Sequence, residues 1–294
     1  MTHETGPSSA PYQEGKIFVL VHGGGHGAWA FERLTPLLVQ EGHYVVARDL
    51  PGHGLRARVP RSYTTRPLHA QEFAHEPSPI AHLRLADYRD QVIATVRRLA
   101  ERMPDREIVL LGHSMAGLIL NEVGEAVPEL IGRLVYLSAW MTGDGTAFTD
   151  YMSEPEFATG LIPSILLADP AVAGALRMDF RSNDPGYRAG VKAAFAADVE
   201  DDEWDAIANL LSPDTPAGPL AERVTVTADR WGRIPRTYIC CTNDQALPLP
   251  AQHRFVKEAD HHTPGNPTDV RELPTSHSPF ASAPDQLAEA LLQL

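Results

Sequence analysis

The stretch Ile108-Val-Leu-Leu-Gly-His-Ser-Met-Ala-Gly117 consists of an apolar strand followed by a turn of small residues. Ser114 is at the apex of this turn, between Gly112 and Ala116. Small residues at these positions permit a strained turn and close packing of the strand against the next helix. Such a turn exposes a serine hydroxyl beside main-chain N–H groups, as a nucleophilic serine requires. Ala116 replaces the usual glycine, so a serine in an ordinary strand–helix turn is the alternative interpretation.

A glycine run near the start of the chain is the second informative pattern. The apolar run Ile17–Val21 is followed directly by His-Gly-Gly-Gly-His. Amides in such a run can turn toward a nucleophile without obstruction by a Cβ, and can stabilise a developing negative charge on oxygen. We therefore predict an oxyanion hole formed by the main-chain N–H groups of Gly24 and Met115.

The same glycine run also fits a dinucleotide-binding pattern. Gly23, Gly25 and Ala28 satisfy G-x-G-x-x-[GA], and Asp49 ends the next predicted strand, about where a ribose-binding acid is expected. The Tyr-x-x-x-Lys pair that could accompany hydride transfer begins at Tyr12, before the first strand. The oxyanion interpretation is therefore favoured, and no cofactor is expected.

An acid and a base follow Ser114 in the order expected for a catalytic triad. Asp244 comes after the predicted strand Thr237–Cys241, and His277 comes after a weaker strand that ends at Leu273. Both residues are therefore expected at the same edge of a parallel sheet as the serine. A neutral imidazole can accept the serine proton while the carboxylate fixes its tautomer. We predict Ser114, Asp244 and His277 as the catalytic residues.

Other acids and histidines provide alternatives. Asp144 also follows a predicted strand, but its Gly-Asp-Gly setting is typical of an ordinary turn. His261 and His262 belong to a segment that we interpret as a polar turn, with no third ligand at metal-binding spacing. Asp244 is therefore preferred as the acid, and no metal is expected.

Together these motifs resemble the α/β-hydrolase superfamily, and more narrowly its methylesterase and hydroxynitrile-lyase branch. The resemblance runs from about Gly15 to the C-terminus and includes Tyr238-Ile-Cys-Cys-Thr242 and Ser276-His-Ser-Pro-Phe280. It implies an α/β fold with a mostly parallel central sheet, helices on both faces and a small helical cap inserted after the sixth strand. It also implies the same triad, a pocket under the cap and a small-molecule ester as substrate.

Two positions bear on the type of reaction. Lyases of this branch have a threonine directly after the first-strand histidine and a lysine directly after the catalytic histidine. Here these positions are Gly23 and Ser278. Ester hydrolysis is therefore favoured over hydroxynitrile-lyase chemistry, and a non-catalytic small-ligand receptor is a third interpretation.

Continuous apolar runs typical of parallel strands covered on both faces occur at Ile17–Val21, Tyr44–Arg48, Ile108–Leu111, Leu134–Ala139, Thr237–Cys241 and Val270–Leu273. We expect a flexible segment at 1–14, a hydrolase core at 15–140 and 224–294, and a helical cap at 141–223. The stretch Leu55–Pro79 lacks periodicity and is predicted to be a long loop near the pocket mouth. Candidate pocket residues are Gly23, His26, Trp29, His113, Trp140, Met141 and Phe148, and further candidates are Phe180, Phe195 and Trp204. The alternative for most of the six from Trp140 onward is that they only pack the cap.

Composition excludes several classes of partner. The chain has 294 residues, is 43% hydrophobic and 21% charged, and carries a formal net charge of −13. Its length allows a sizeable core, and its acidity disfavours nucleic acid and anionic membranes as partners.

Cys240 and Cys241 lie in a predicted core strand and are expected to be buried thiols. Since no apolar segment could serve as a signal or a membrane span, we expect a cytoplasmic protein. The homodimer common in the branch is expected as well.

Overall fold

A six-stranded parallel sheet forms the centre of the computed structural model, which describes residues 15–294. The segment 1–14, expected to be flexible, lies outside the described residues. In chain order the strands are β1 (Ile17–Val21), β2 (Tyr44–Ala47), β3 (Ile108–His113), β4 (Arg133–Leu137), β5 (Ala175–Arg177), β6 (Asp214–Pro216), β7 (Arg236–Cys241) and β8 (Asp269–Leu273). The central sheet has the order β2-β1-β3-β4-β7-β8, and β5 and β6 form a separate antiparallel pair. The predicted α/β class and parallel sheet are confirmed.

Helices cover both faces of the central sheet. They are α1 (Leu34–Gln40), α2 (Ala70–His75), α3 (Leu85–Arg102), α4 (Ala116–Ala126), α5 (Ile162–Ile165), α6 (Pro170–Ala173), α7 (Pro185–Ala196), α8 (Asp201–Leu210), α9 (Gly218–Ala221), α10 (Leu249–His262), α11 (Pro279–Ser282) and α12 (Pro284–Leu292). Alternate residues of β1 point to opposite faces. Val19 packs in a cluster with residues of α3, α4 and α10, whereas Leu20 packs in a second cluster with residues of α1 and α12.

The strand register brings the carboxyl ends of the central strands together. Val21 of β1 is opposite Gly112 of β3, and His113 is opposite Leu137 of β4. The four inner strands are almost entirely buried, as their continuous apolar sequences predict, whereas the edge strands β2 and β8 are partly exposed. The loops that follow β1, β3, β4, β7 and β8 therefore meet at one edge of the sheet.

Short helices and the β5–β6 pair occupy the chain between β4 and β7, within the range where a helical cap was expected. Four strands of the described sheet precede this insertion, as the apolar runs predicted before residue 141 imply, whereas the resemblance placed the cap after the sixth strand. The β5–β6 pair was not predicted, because each strand has three residues and is too short to show a periodic pattern. We refer to residues 141–223 as the cap segment.

Two local expectations from the sequence were wrong. The stretch Leu55–Pro79 is not only a loop, because it contains α2, whose position is fixed by the cap segment: Arg177 Nη1 donates hydrogen bonds to the main-chain oxygens of Phe73 and Glu76. His261 and His262 lie in the last turn of α10 and not in a polar turn, since the helix continues through both residues.

The remaining expectations concern metals, cysteines and membranes. Within residues 15–294 no group of three or more His, Cys, Asp or Glu side chains is arranged to hold a metal ion. Cys240 and Cys241 are buried free thiols. None of the helices in this described range combines the length and the apolar character needed to cross a membrane.

Candidate active site

Ser114 occupies the sharp turn between β3 and α4 with a φ of 55°, in the left-handed region. Small neighbours make this turn possible. A Cβ on Gly112 would lie 2.5 Å from the Cδ1 atom of Leu120, and a Cβ on Gly117 would lie 2.6 Å from the main-chain nitrogen of Trp140. The positive φ at a non-glycine residue stores backbone strain at this turn, as expected at a functional position. The strand–turn–helix predicted from the sequence is therefore present.

Asp244 and His277 form a buried pair at the same edge of the sheet. Asp244 Oδ2 lies 2.6 Å from His277 Nδ1. The other carboxylate oxygen accepts hydrogen bonds from the main-chain nitrogens of Ala246 at 2.7 Å and Leu247 at 2.8 Å. An ionised carboxylate can only accept, so the proton of the imidazole is on Nδ1 and Nε2 has a free lone pair. This is the tautomer that a general base needs.

The alternative acid, Asp144, lies in a different setting. Its Oδ1 atom accepts a hydrogen bond from the main-chain nitrogen of Val226 at 3.0 Å, which ties the start of the cap segment to the chain just beyond its end. The structure brings Asp244 to His277 and gives Asp144 a local structural contact.

Ser138 is a member of the site that sequence reasoning missed. Its hydroxyl donates a hydrogen bond to Asp244 Oδ2, the same oxygen that faces His277. It directly follows β4 and has a φ of 40°. This left-handed conformation ends the strand before the predicted limit at Ala139. A serine after an apolar strand is common, and neither the positive φ nor the contact with Asp244 leaves a signal in the sequence.

His113 contacts the backbone of His277. Its Nε2 atom lies 2.9 Å from the main-chain oxygen of His277, and the two ring centroids are 4.6 Å apart. Since a carbonyl oxygen only accepts, Nε2 of His113 carries the proton. Burial, reinforced by the neighbouring His277 and His26, lowers the pKa of His113 well below its ordinary value. The ring therefore remains neutral and holds the His277 backbone in place.

Two further histidines fix the glycine run. His22 Nε2 accepts a hydrogen bond from the main-chain nitrogen of Leu50 at 3.0 Å, so its Nδ1 carries the proton and donates to the oxygen of Gly23 at 2.8 Å. His26 Nδ1 lies 2.8 Å from the oxygen of Gly24. Burial is the main cause that lowers the pKa of His26 to about 4. These contacts fix the orientation of the peptide groups next to Ser114.

A cavity opens above Ser114. Its wall consists of Gly24, Ser114, Met115, Trp140, Ile162, Leu176, Met178, Phe195, Thr215, Ala246, Leu247 and His277. Among residues 15–294 the main-chain N–H groups of Gly24 and Met115 have no hydrogen-bond acceptor. Both residues predicted to form an oxyanion hole thus lie in the wall with unused donors.

The candidate pocket residues have different locations. Trp140 and Phe195 line the cavity, whereas Phe148 stacks on Trp140 at a centroid distance of 3.7 Å. The other predicted residues do not form the cavity wall. His26 and His113 make the main-chain contacts described above, and Gly23 packs against Ser114. Trp29 lines a separate surface groove, and Met141 is in the core. Phe180 packs against Phe195, and Trp204 is buried in the apolar cluster on the α1 side of the sheet. The position of a residue next to a motif in the sequence therefore does not determine whether its side chain faces the cavity.

Asp49 has a structural contact that disfavours the dinucleotide interpretation. Its two carboxylate oxygens accept hydrogen bonds from the main-chain nitrogens of Ala28 at 2.7 Å and Leu55 at 2.8 Å. The carboxylate therefore connects the end of the glycine run to the segment after β2. Both carboxylate oxygens already accept main-chain hydrogen bonds, whereas a ribose-binding acid needs free acceptor oxygens.

Comparison with known families agrees with this geometry. The model of the alpha/beta hydrolase family matches residues 18–290. The chain belongs to this family. It is 29% identical over 282 residues to polyneuridine aldehyde esterase of Rauvolfia serpentina, a match that covers 86% of this chain and 92% of that protein. It resembles the crystal structure of a pyrethroid hydrolase from Sphingobium faniae with a TM-score of 0.72 and 22% identity, covering 95% of this chain and 96% of that one.

Some relatives are considerably longer. A chloroplastic relative from Arabidopsis thaliana that carries a methylesterase name is 26% identical over 285 residues, which cover 96% of this chain and 56% of that protein. The chain therefore spans little more than half the length of that relative.

Proposed function

We propose that this protein is a serine hydrolase that cleaves a small carboxylic ester through an acyl-enzyme intermediate. One observation carries the proposal: His277 contacts Asp244 through Nδ1 at 2.6 Å and shares the cavity wall with Ser114. The similarity to polyneuridine aldehyde esterase supports the same chemistry. No cofactor is needed for this reaction.

The proposed reaction begins with proton transfer from the Ser114 hydroxyl to His277 Nε2. The serine oxygen attacks the ester carbonyl carbon, and the carbonyl oxygen becomes negatively charged. The unused N–H groups of Gly24 and Met115 support this step, because both are available to donate to that oxygen. Collapse of the tetrahedral intermediate breaks the bond to the alcohol oxygen, which takes the proton from His277. Water then attacks the acyl-enzyme by the same route and releases the acid.

Asp244 stabilises the imidazolium that forms in each half of this reaction. Its carboxylate is buried, with both oxygens held by hydrogen bonds, so its orientation toward His277 is fixed before substrate binds. Replacement by asparagine would favour the wrong imidazole tautomer and reduce kcat on the order of 10⁴-fold. Asp144→Asn is the matched control. A larger loss of kcat in that variant than in Asp244→Asn would mean that Asp144, and not Asp244, is the acid of the triad.

The environment of Gly23 favours hydrolysis over cyanohydrin cleavage. A Cβ at this position would lie 2.8 Å from Ser114 Cβ and 2.9 Å from His113 Nδ1. The threonine that the lyase branch places here would therefore displace the nucleophile. Ser278 also lacks the ammonium group that the lyases carry next to the catalytic histidine.

The cavity wall indicates the type of substrate. Most of its side chains are apolar, including Ile162, Leu176, Met178, Phe195 and Leu247. Burial of apolar surface contributes about 25 cal/mol per Å² to binding, so such a wall favours an ester with an apolar acyl or alcohol group. Methyl, alkyl and aryl esters of small acids are the proposed class.

A panel of p-nitrophenyl and methyl esters of graded size tests the proposal, with cyanide release from mandelonitrile as the competing assay. We expect ester turnover that is abolished in Ser114→Ala and no cyanide release above that variant. Lyase turnover that exceeds esterase turnover would contradict the proposal. Saturable ligand binding without turnover across the panel would indicate a receptor.

We further propose that the protein works in the cytoplasm as a homodimer, without nucleic acid or membrane as partner. The formal net charge of −13 and the two unpaired buried cysteines support this setting. Sedimentation equilibrium measures the oligomeric state, and a monomer at micromolar concentration would contradict the dimer.

A further inference from the structure

Thr215 is a buried polar residue of the cap segment that lines the cavity. It is 4% exposed, and among residues 15–294 its hydroxyl has no hydrogen-bond partner. Its position is fixed by the backbone of β6, where it pairs with Leu176 of β5. The hydroxyl oxygen is not fully enclosed, because the residue borders the cavity. Its location in the cavity wall indicates that a ligand can supply the missing partner.

The adjacent residue anchors this strand firmly. Asp214 and Arg177 form a bidentate ion pair, with Nε–Oδ1 and Nη2–Oδ2 distances of 2.7 Å. The two side chains are 1% and 0% exposed, respectively. The pair also joins β5 to β6, in the register that places Thr215 in the wall. The Thr215 hydroxyl is therefore held on a rigid element, as a group that selects substrate requires.

The Thr215 side chain lies against the glycine run. A Cβ built on Gly24 would be 2.5 Å from Thr215 Oγ1. The main-chain nitrogen of Ser212 donates a hydrogen bond to the oxygen of Gly25 at 2.8 Å, which fixes the cap strand to the same run. The hydroxyl is thus adjacent to the residue that is proposed to bind the ester carbonyl oxygen.

Few other side chains of the wall can form a hydrogen bond with substrate. Ser114 and His277 take part in the proposed reaction, and the remaining polar group besides Thr215 is the indole N–H of Trp140, a donor only. The hydroxyl of Thr215 can both donate and accept. It is therefore suited to a substrate hydroxyl, ether or carbonyl oxygen.

We propose that the Thr215 hydroxyl is the specificity group of this cavity and selects esters with an oxygen on the carbon next to the ester carbonyl. The inference rests on the proposed esterase function, because it assumes that the carbonyl oxygen binds at the Gly24 N–H. An oxygen on that neighbouring carbon is two bonds from the carbonyl carbon. It can therefore reach the hydroxyl beside Gly24, whereas a more distant substituent would face the apolar part of the wall.

The test compares methyl mandelate, which has a hydroxyl on this carbon, with methyl phenylacetate, which lacks it. The quantity measured is the ratio of kcat/KM for the two esters in the wild type, Thr215→Val and Thr215→Ser. We expect the wild type to prefer mandelate. Thr215→Val should reduce the ratio about tenfold, the effect of one lost hydrogen bond to a buried group. Thr215→Ser should keep most of it, because the hydroxyl is retained.

Thermal unfolding of each variant checks that the cap is intact, and Trp140→Phe tests the other donor in the wall. An unchanged ratio in Thr215→Val would overturn the proposal, as would an equal loss of kcat/KM on both esters or a change of the ratio in Trp140→Phe alone. If the wild type cleaves neither ester, the proposed function fails. The binding of mandelamide and phenylacetamide then tests Thr215 independently, and equal loss of affinity for both in Thr215→Val would refute it.

Discussion

Ser138 donates its hydroxyl to Asp244 Oδ2, the carboxylate oxygen that lies 2.6 Å from His277 Nδ1. The two donors therefore share one oxygen, while the other oxygen is held by main-chain N–H groups. This arrangement leaves the carboxylate little rotational freedom. The carboxylate thus faces the imidazole in the absence of substrate.

Removal of the Ser138 hydroxyl should lower kcat about tenfold, the effect of losing one hydrogen bond to a charged group. Ser138→Gly is the informative variant, because glycine accepts the φ of 40° at this residue without strain. Ser138→Ala loses the same hydroxyl and also places a Cβ in the left-handed region. The measurement is kcat on an activated ester. Full activity in Ser138→Gly, with loss only in Ser138→Ala, would mean that the backbone conformation matters and the hydroxyl does not.

Lowering the pH should destabilise the folded protein at pH values above those at which most carboxylates become protonated. Burial lowers the pKa values of His22, His26, His53 and His113 in the folded state, for His26 to about 4. In the unfolded chain these imidazoles titrate near their ordinary pKa of about 6.5. Below that pH the unfolded state binds more protons, so the free energy of unfolding falls as pH decreases from about 6.5 toward 4. Each such histidine contributes up to about 1.4 kcal/mol per pH unit.

Urea unfolding between pH 7.5 and 5 measures this dependence, and His26→Gln is the matched variant. Glutamine can still donate toward the Gly24 oxygen but does not titrate. Its free energy of unfolding should therefore vary less steeply with pH than that of the wild type. Equal slopes in the two proteins would contradict the assignment of a lowered pKa to His26.

The N–H of Gly24 can be tested by comparing two substitutions at the same position. Gly24→Ala and Gly24→Pro both add a Cβ, which would lie 2.5 Å from Thr215 Oγ1, but only proline removes the N–H. Loss of one oxyanion donor costs about 10²–10³ in kcat. We expect kcat of Gly24→Pro to lie that far below kcat of Gly24→Ala. Similar kcat values in two folded variants would show that the donor lies elsewhere, with Gly23 or Gly25 as the next candidates.

The buried Arg177–Asp214 pair should be important for stability. Arg177→Met leaves the Asp214 carboxylate buried without its partner, at a cost of about 3–5 kcal/mol in the free energy of unfolding. It also removes the donor to the main-chain oxygens of Phe73 and Glu76, which hold α2 against the cap segment.

The exposed Arg188–Asp205 pair in the same segment is the control, since its side chains are 38% and 58% exposed. Arg188→Met should change the free energy of unfolding by about 1 kcal/mol or less. Denaturant unfolding measures both variants. Equal effects would show that the buried pair contributes no more than a surface pair.

Much of the site could be predicted because a parallel sheet places the carboxyl ends of its strands at one edge. The positions of Ser114, Asp244 and His277 depend on strand ends, and apolar runs bounded by turn residues mark these ends in the sequence. The glycine run was similarly visible, because glycine is required where Gly23 packs against Ser114.

The parts that were missed depend on contacts between distant segments. Thr215 lies in a three-residue strand of the cap segment, and its proximity to Gly24 joins positions that are far apart in the chain. His113 was predicted as a pocket residue. Its side chain points away from the cavity to the His277 carbonyl, since successive residues of a strand face opposite sides of the sheet.

The central claim is that Ser114 is acylated during turnover. The most direct measurement is the intact mass of the protein after reaction with a p-nitrophenyl phosphonate, followed by peptide mapping and a parallel assay of p-nitrophenyl acetate hydrolysis. We predict one phosphonyl group per chain on Ser114, loss of activity in proportion to labelling, and neither labelling nor turnover in a folded Ser114→Ala variant. Near-normal ester turnover by Ser114→Ala, or labelling at another residue that accompanies the loss of activity, would contradict the account.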